Sequence, residues 1–326
     1  MRTFLTLLLL AAIATGGWLV WALWMPVQPA GQKFVMLRPG YSTRRIATEL
    51  QSAGVIRNRF AFLLWHRLHP KQSLKAGEYL FEKPARITDV HNRLARGDIY
   101  VHTVVIPEGY TMFDIAQAIQ DAGLGSRQQF LDTARSEVGL ISDMSPDAKN
   151  LDGYLFPSTY EFTRTQTMKD MVGAMVKQFR LVAEQIGLTI DIPKTVTMAS
   201  IIEKETAVPE ERPVVASVYY NRLGRNIALQ ADPSVIYAEL LGGSYGGALH
   251  HADMSFQSAY NTYAHTGLPP GPIGNPGRTS LEAALHPAKT DYFYFVSDGN
   301  GHHRFSATLA EHNQNVAKLR QVMQAK

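Results

Sequence analysis

The sequence contains no cysteine among its 326 residues. Without thiols there is no disulfide, no thiolate zinc or iron–sulfur centre and no cysteine nucleophile. Cysteine usage therefore does not indicate whether the protein works in a reducing or an oxidising compartment. The sequence also lacks a large excess of one charge, because it has 32 Lys and Arg and 28 Asp and Glu. A net charge of +4 is too small to indicate nucleic-acid binding. The apolar (45%) and charged (18%) fractions are ordinary, which excludes disordered, collagen-like and coiled-coil chains.

The N-terminus carries an uncharged stretch from Phe4 to Met25. At about 1.5 Å per residue, a helix of this length crosses a hydrocarbon core of roughly 30 Å. Three residues typical of membrane interfaces lie at its distal end: Trp18, Trp21 and Trp24. We therefore predict a cytoplasmic N-terminus at residues 1–3, a single-pass transmembrane anchor at 4–25 and the rest of the chain outside the cytoplasm. A cleaved signal peptide is the alternative, because residues 12–14 resemble a cleavage site.

Residues 34–64 and 103–133 resemble each other at a constant offset of 69. In each copy a short apolar strand ends at a Pro/Gly turn, Ser42 or Thr111 caps a helix, and apolar residues follow at helical spacing. Two copies are too few for a solenoid, so we predict two related βα units.

The strand, the Pro-Gly-Tyr-Ser turn and the helix resemble LysM-like modules, which dock on glycan chains. This resemblance implies a small α+β LysM-like module at residues 33–100. A spacer that holds a catalytic domain away from the membrane is an equal alternative. The same residues carry 13 basic and 5 acidic side chains, an excess that would face anionic lipid head groups or acidic peptides on a glycan.

Two glutamates follow a buried helix in the second half of the chain. Residues 195–202 are apolar apart from hydroxyl groups, so the pattern predicts a helix that is buried nearly all round. Glu203 emerges at its end as a partly desolvated carboxyl, and burial of a carboxyl raises its pKa, as a general acid near neutral pH requires. Glu205 is a second acidic candidate, about 200° around the helix, so the two cannot face one cleft. Two solvated glutamates at a helix end are the alternative for this segment alone.

Long motifs then follow in order: Met198–Thr206, Leu229–Tyr237, Tyr260–Tyr263, Gly267–Gly271 and His286–Lys289. Together they closely resemble the endolytic murein transglycosylases, the YceG-like family, and the resemblance covers nearly the whole chain. It implies an α+β protein with an N-terminal transmembrane helix, the LysM-like module and a larger mixed α+β catalytic domain at residues 101–326, its start placed between 98 and 150. It also implies a bacterial inner-membrane enzyme whose catalytic domain lies in the periplasm.

The resemblance implies an endolytic lytic transglycosylase. Such an enzyme cleaves the bond between N-acetylmuramic acid and N-acetylglucosamine within peptidoglycan strands, leaves 1,6-anhydro ends, and terminates or trims nascent strands. Its catalytic glutamate corresponds to Glu203, and no metal or cofactor is implied. Four further side chains are our candidate substrate contacts: Gln230, Asp232, Tyr260 and Asn261. Association with penicillin-binding proteins and other wall-synthesis proteins is likewise implied.

Other interpretations fit parts of the sequence. A lysozyme-type hydrolase that pairs Glu203 with Asp232 would leave a reducing end, and a non-catalytic wall-binding scaffold would bind glycan without shortening it. Histidines at 250–251 and 302–303 could suggest a metal hydrolase, but they lie in Gly-rich loops and no H-E-x-x-H is present. Residues 242–246 match the pattern G-x-S-x-G without the strand and helix that a nucleophile elbow needs.

Overall fold

The computed structural model describes residues 2–324, and the chain divides into two compact units. The first unit ends at Thr103 and also includes Glu161–Thr167. The second comprises Val104–Tyr160 and the chain from Met168 onwards. Met1 and residues 325–326, which belong to the predicted N-terminal and catalytic segments, lie outside the described residues.

The first unit contains four helices and two strands: α1 (Arg2–Trp24), β1 (Lys33–Leu37), α2 (Thr43–Ser52), α3 (Arg59–Leu68), β2 (Gly77–Phe81) and α4 (Ile87–Arg96). β1 and β2 pair antiparallel, with Val35 opposite Tyr79, and both of these side chains are buried. Arg164 returns from the Glu161–Thr167 segment to bind the buried Glu78 carboxylate of β2 at 2.7 Å.

Helix α1 is long and apolar enough, from Thr3 to Trp24, to cross a membrane. Most of its side chains are exposed, which suits a helix whose surroundings are lipid. Its last turn is different, because Ala22 and Leu23 are buried in the core of the first unit. The structure therefore agrees with the predicted helix and joins its distal end to the domain that follows.

The second unit contains most of the helices, and the chain passes between the two units within β3 and again within β4. Its elements are β3 (His102–Ile106), α5 (Met112–Asp121), α6 (Arg127–Ser136), β4 (Ser158–Phe162), α7 (Met168–Gln185), α8 (Ile192–Glu205), α9 (Arg212–Gly224), α10 (Asp232–Gly242), α11 (Arg278–Leu285), β5 (Tyr294–Ser297), β6 (His303–Ser306) and α12 (Leu309–Gln324). β3 pairs with β4, and β5 pairs antiparallel with β6. Two-stranded sheets among helices confirm the predicted mixed α+β class.

The two copies of the repeat fold alike, as β1–α2–α3 and β3–α5–α6. The Ser42 hydroxyl accepts a hydrogen bond from a backbone N–H in the first turn of α2, and Thr111 does the same for α5, so both predicted caps are confirmed. Gly54 and Gly123 then follow with positive φ angles of 71° and 68°, which glycine adopts without strain. The second helix of each copy was not predicted.

Helix α8 is held in the core of the second unit. Its side chains from Thr195 to Ile202 are all buried, which confirms the predicted buried helix. Five apolar side chains of the preceding helix α7 are also buried: Met171, Met175, Val176, Phe179 and Val182.

Two buried polar side chains join the loops that surround α8. The Asn275 amide makes four hydrogen bonds, with Gly153 N (2.8 Å), Leu155 N (2.8 Å), Tyr110 O (2.9 Å) and the Asp152 carboxyl (3.1 Å). Asp152 also accepts from the Tyr237 hydroxyl at 2.6 Å, and burial raises the pKa of Asp152 to about 6. Because Asn275 uses every donor and acceptor it has, these loops have a single well-defined arrangement.

Candidate active site

The two glutamates at the end of α8 meet different partners. Glu205 is half-buried, and its Oε1 accepts a hydrogen bond from the Tyr219 hydroxyl of α9 at 2.7 Å. Burial raises the pKa of Glu205 from its ordinary 4.5 to about 7, and the negative charge of Asp232 adds to the rise. This carboxyl therefore exchanges its proton near neutral pH.

Glu205 lines a cavity of about 280 Å³. The other lining residues come from α9, β5, α12 and the segments around the start of α10: Tyr219, Arg222, Leu229, Gln230, Asp232, Tyr263, Phe295 and His312. The cavity lies just below the roughly 300–1,000 Å³ typical of sites that enclose a small molecule. Its size and its mixture of aromatic and polar walls suit one ring of a longer polar substrate.

Asp232 and Gln230 are placed in this cavity by the loop that begins α10. The Tyr263 hydroxyl donates to Asp232 Oδ1 at 2.5 Å, and Arg222 Nη1 donates to the Gln230 side chain at 3.3 Å. Gln230 has a φ of 56°, which is unusual for a residue with a side chain, and its N–H donates to Thr262 O at 3.1 Å. Strained backbone of this kind persists where surrounding contacts enforce it, and it clusters at functional sites.

Glu203 instead belongs to a buried ion pair. Its Oε1 lies 2.9 Å from Arg212 Nη2, its Oε2 accepts from Gly277 N at 2.8 Å, and its side chain is only 5% exposed. Arg212 also contacts the Thr279 hydroxyl of α11 and lies 3.6 Å from the Glu108 carboxylate. Both oxygens of Glu203 thus accept hydrogen bonds, and these contacts join α8 to α9 and to the start of α11.

Tyr260 and Asn261 lie away from the Glu205 cavity lining. Tyr260 lines a separate cavity of about 530 Å³, together with Asp152 and Pro270, and its ring contacts that of Tyr237. Asn261 is fully buried, and its Nδ2 donates to two backbone carbonyls at 2.9 Å. Its amide shapes the turn that presents Tyr263, and a contact of either residue with substrate stays a prediction.

The structure thus brings Glu205, Gln230 and Asp232 together and places Glu203 outside this group. Tyr219 and Arg222 also line the cavity, and neither was among the site residues predicted from the sequence. They lie three residues apart on α9 and therefore share one face of the helix, a spacing that could have identified them.

The histidine clusters have other partners. His302 and His303 both contact the Glu211 carboxylate, at 3.1 and 2.7 Å. His250 begins a short turn in which its N–H donates to Asp253 at 2.6 Å. Within residues 2–324, no three His, Cys, Asp or Glu side chains are arranged to hold a metal ion.

Comparisons with known proteins agree on one family. The sequence pattern of the YceG-like family matches residues 35–318. A Bacillus subtilis protein named endolytic murein transglycosylase is 36% identical over 295 residues, which cover 84% of this chain and 81% of that protein. A Streptococcus pneumoniae protein of the same name is 29% identical over 96% of this chain and 64% of its own length.

A solved structure is also similar. The crystal structure of a yceG-like protein from Listeria monocytogenes matches 87% of this chain and 98% of its own, with a TM-score of 0.60 and 33% identity. The family pattern at residues 35–318 extends over both units and includes the segments that build the Glu205 cavity. From this agreement of sequence pattern, relatives and fold, the chain belongs to the YceG-like family.

Proposed function

We propose that this protein is a lytic transglycosylase that cleaves the glycan strands of peptidoglycan at internal bonds. Its family and its relatives named endolytic murein transglycosylases support this reaction class. The observation that carries the proposal is the Glu205 carboxyl, which has a pKa of about 7 and shares a cavity with Gln230 and Asp232. A carboxyl with this pKa is half protonated near neutral pH, as a general acid requires.

The reaction breaks the bond between C1 of N-acetylmuramic acid and the O4 oxygen of the next N-acetylglucosamine. Glu205 donates its proton to the leaving O4, and the C6 hydroxyl of the same muramyl ring attacks C1. The proton of that hydroxyl passes to the Glu205 carboxylate, so the acid is regenerated and a 1,6-anhydro ring closes without consuming water. Because the nucleophile belongs to the ring that is attacked, the step gains from a high effective molarity.

The cavity supplies the rest of the chemistry. The Tyr219 hydroxyl holds Glu205 Oε1 at 2.7 Å, which orients the carboxyl and leaves Oε2 for the transferred proton. Asp232, oriented by Tyr263, places an acidic side chain where positive charge develops in an oxocarbenium-like transition state. The Gln230 amide offers a donor and an acceptor to the hydroxyl or acetamido groups of a sugar.

The family resemblance implies that Glu203 is the general acid, whereas the geometry of the site favours Glu205 in that role. A Glu203 acid would have to separate from Arg212 and from Gly277 N before it could deliver a proton. Glu205 already lies in a cavity. Its Oε1 accepts from Tyr219, and its Oε2 can deliver a proton without first breaking an ion pair. Variants at the two positions decide between them.

The test is the release of products from defined glycan strands by the purified full-length protein. We expect 1,6-anhydro ends from the wild type, none from Glu205→Gln, and unchanged products from Glu210→Gln, which removes an exposed carboxylate nearby. Loss of product from Glu203→Gln in a folded protein, with retention in Glu205→Gln, would return the assignment to Glu203. Strand binding without any shortening by the wild type would favour the scaffold.

A hydrolase is a second candidate, because Asp232 lies in the same cavity as Glu205 and could activate a water molecule. Its product would carry a reducing end and would be heavier than the anhydro product by one water. Mass spectrometry of the released fragments therefore separates the two reactions.

In this proposal α1 is an uncleaved anchor in the inner membrane. The positive-inside tendency keeps Arg2 and the terminal amine in the cytoplasm and places both units in the periplasm, where the substrate is. Anchoring of the protein in this membrane suits the termination of nascent strands beside penicillin-binding proteins. The basic residues 33–100 would act as a LysM-like glycan-docking module, and sedimentation of inactive Glu205→Gln with insoluble cell wall tests this part.

A further inference from the structure

Helix α3 carries an apolar stripe that points away from the core of the first unit. Phe60, Leu64 and Leu68 recur every four residues and are 61%, 40% and 65% exposed. Phe62, about 200° from Phe60 around the helix, lies on the opposite side and is buried, and the small Ala61 is buried beside the stripe. The three exposed side chains therefore form one continuous face, and a contiguous exposed apolar face on a small module marks a contact surface.

Helix α3 and the turn before it contact the end of α1. The Arg57 guanidinium lies 4.5 Å above the Trp21 ring, and its Nη2 donates to Pro26 O at 3.2 Å. Trp65 of α3 meets Trp24 edge-on, with 5.8 Å between the ring centres. Trp21 lies three residues, or about 4.5 Å along the axis, before Trp24. These contacts hold α3 beside the tryptophans that mark the membrane interface.

Basic side chains border the stripe. Arg59 and Arg67 of α3 are exposed, and so is Lys71 just beyond it. At about 100° per residue, Arg67 lies about 20° from Phe60 around the helix, so a cation and the apolar face point the same way. An apolar stripe with flanking cations is complementary to a bilayer that contains anionic lipids.

We propose that α3 lies in the membrane interface at the distal end of α1. Its apolar stripe contacts the acyl chains, and its arginines contact the phosphates of anionic lipids. The inference rests on the anchoring of α1 proposed above and is independent of the chemistry at Glu205. The anchor and α3 then attach the first unit to the bilayer at two places and fix its height and tilt. An anchor alone would not fix either.

The absence of cysteine allows a single nitroxide label to be placed in the full-length protein. We compare Leu64→Cys with Arg38→Cys, an exposed position beyond the far end of β1, in vesicles of phosphatidylethanolamine and phosphatidylglycerol. Power saturation with dioxygen and a nickel chelate measures the depth of each label. We expect the label at 64 about 5–10 Å below the phosphates and the label at 38 in water.

Charge reversal supplies the second arm. Arg59→Glu with Arg67→Glu should lift the label at 64 toward water in these vesicles, and vesicles of phosphatidylcholine alone should give the wild type a shallower depth. Nickel access at 64 equal to that at 38 would overturn the proposal. So would protection at 64 that appears only when other membrane proteins are added, because that indicates a protein partner. Failure of the protein to remain with vesicles would overturn the anchoring, while the assay of Glu205 would be unaffected.

Discussion

Glu203 and Glu205 lie two residues apart, and their glutamine variants should change stability in opposite directions. Glu205 is a carboxyl whose burial disfavours its charged form, whereas Glu203 is a carboxylate paired with a buried arginine. Replacing each by glutamine keeps its size and one oxygen acceptor. The comparison therefore separates an unfavourable buried charge from a stabilising one.

For Glu205 the magnitude follows from its pKa. A rise from 4.5 to about 7 corresponds to about 3.4 kcal/mol, at about 1.36 kcal/mol per unit. Since the group is half-buried and touches a cavity, we expect about 2 kcal/mol after solvent screening. The folded state keeps its proton to higher pH than the unfolded chain. The contribution to stability is therefore most favourable below pH 4.5 and is lost as the pH rises to about 7. Glutamine cannot ionise, so Glu205→Gln avoids the cost of a buried charge at high pH. The variant should therefore be more stable than wild type at high pH.

For Glu203 the sign is reversed. Removing one partner of a buried ion pair typically costs about 3–5 kcal/mol, because it leaves an uncompensated charge. The Glu108 carboxylate remains 3.6 Å from Arg212, so we expect the lower end of this range, about 3 kcal/mol.

Thermal unfolding followed by circular dichroism, at about pH 5 and pH 8, tests both values. At about 2–4 °C per kcal/mol for a domain of this size, Glu205→Gln should raise Tm by about 4–8 °C at pH 8 and by much less at pH 5. Glu203→Gln should lower Tm at both, and the Glu210→Gln control should leave it unchanged. A Glu205→Gln protein with an unchanged or lower Tm at pH 8 would refute the argument from burial, and full activity in that variant would refute the catalytic assignment.

Further predictions concern the pH profile and the loops around α8. Since Glu205 must carry its proton to act as the acid, kcat/KM for product release should fall above about pH 7; a flat profile to about pH 9 would contradict this role. Gly153→Ala should lower the free energy of unfolding by about 3 kcal/mol in urea titrations, because φ is 90° and the new Cβ would lie 2.6 Å from Pro272 Cβ. The control Gly173→Ala, in open space on α7, should stabilise by up to about 1 kcal/mol. Asn275→Ala should cost about 3 kcal/mol, because it leaves two buried backbone N–H groups without acceptors, and an unchanged urea midpoint would contradict that account.

Features with local causes could be predicted from the sequence. The caps at Ser42 and Thr111 require only a hydroxyl before a helical pattern, and the burial of α8 follows from its nearly unbroken apolar run. The separation of the two glutamates follows from helical geometry alone, and the structure gives them different partners. These inferences depend on residues within one or two turns of each other.

Features with distant causes could not be predicted. Glu203 binds Arg212, nine residues away, and Gly277, 74 residues away, so no local pattern indicates which glutamate is paired. Helix α12 and the hairpin of β5 and β6 were not predicted either, because α12 has no fully buried residue and each strand has only four residues. Yet Phe295 and His312 from these elements line the Glu205 cavity.

The ion pair of Glu203 explains why the Glu205 carboxyl stays buried although burial disfavours its charged form. The contacts of Glu203 with Arg212 and Gly277 fix the last turn of α8 against α9 and the start of α11. About 200° around that turn, the Tyr219 hydroxyl holds Glu205 in the cavity at 2.7 Å. A loosely held helix end would relax and let the carboxyl hydrate, which would return its pKa toward 4.5. Glu203→Gln should therefore also weaken activity indirectly, and its pH profile for product release should shift to lower pH as Glu205 becomes hydrated.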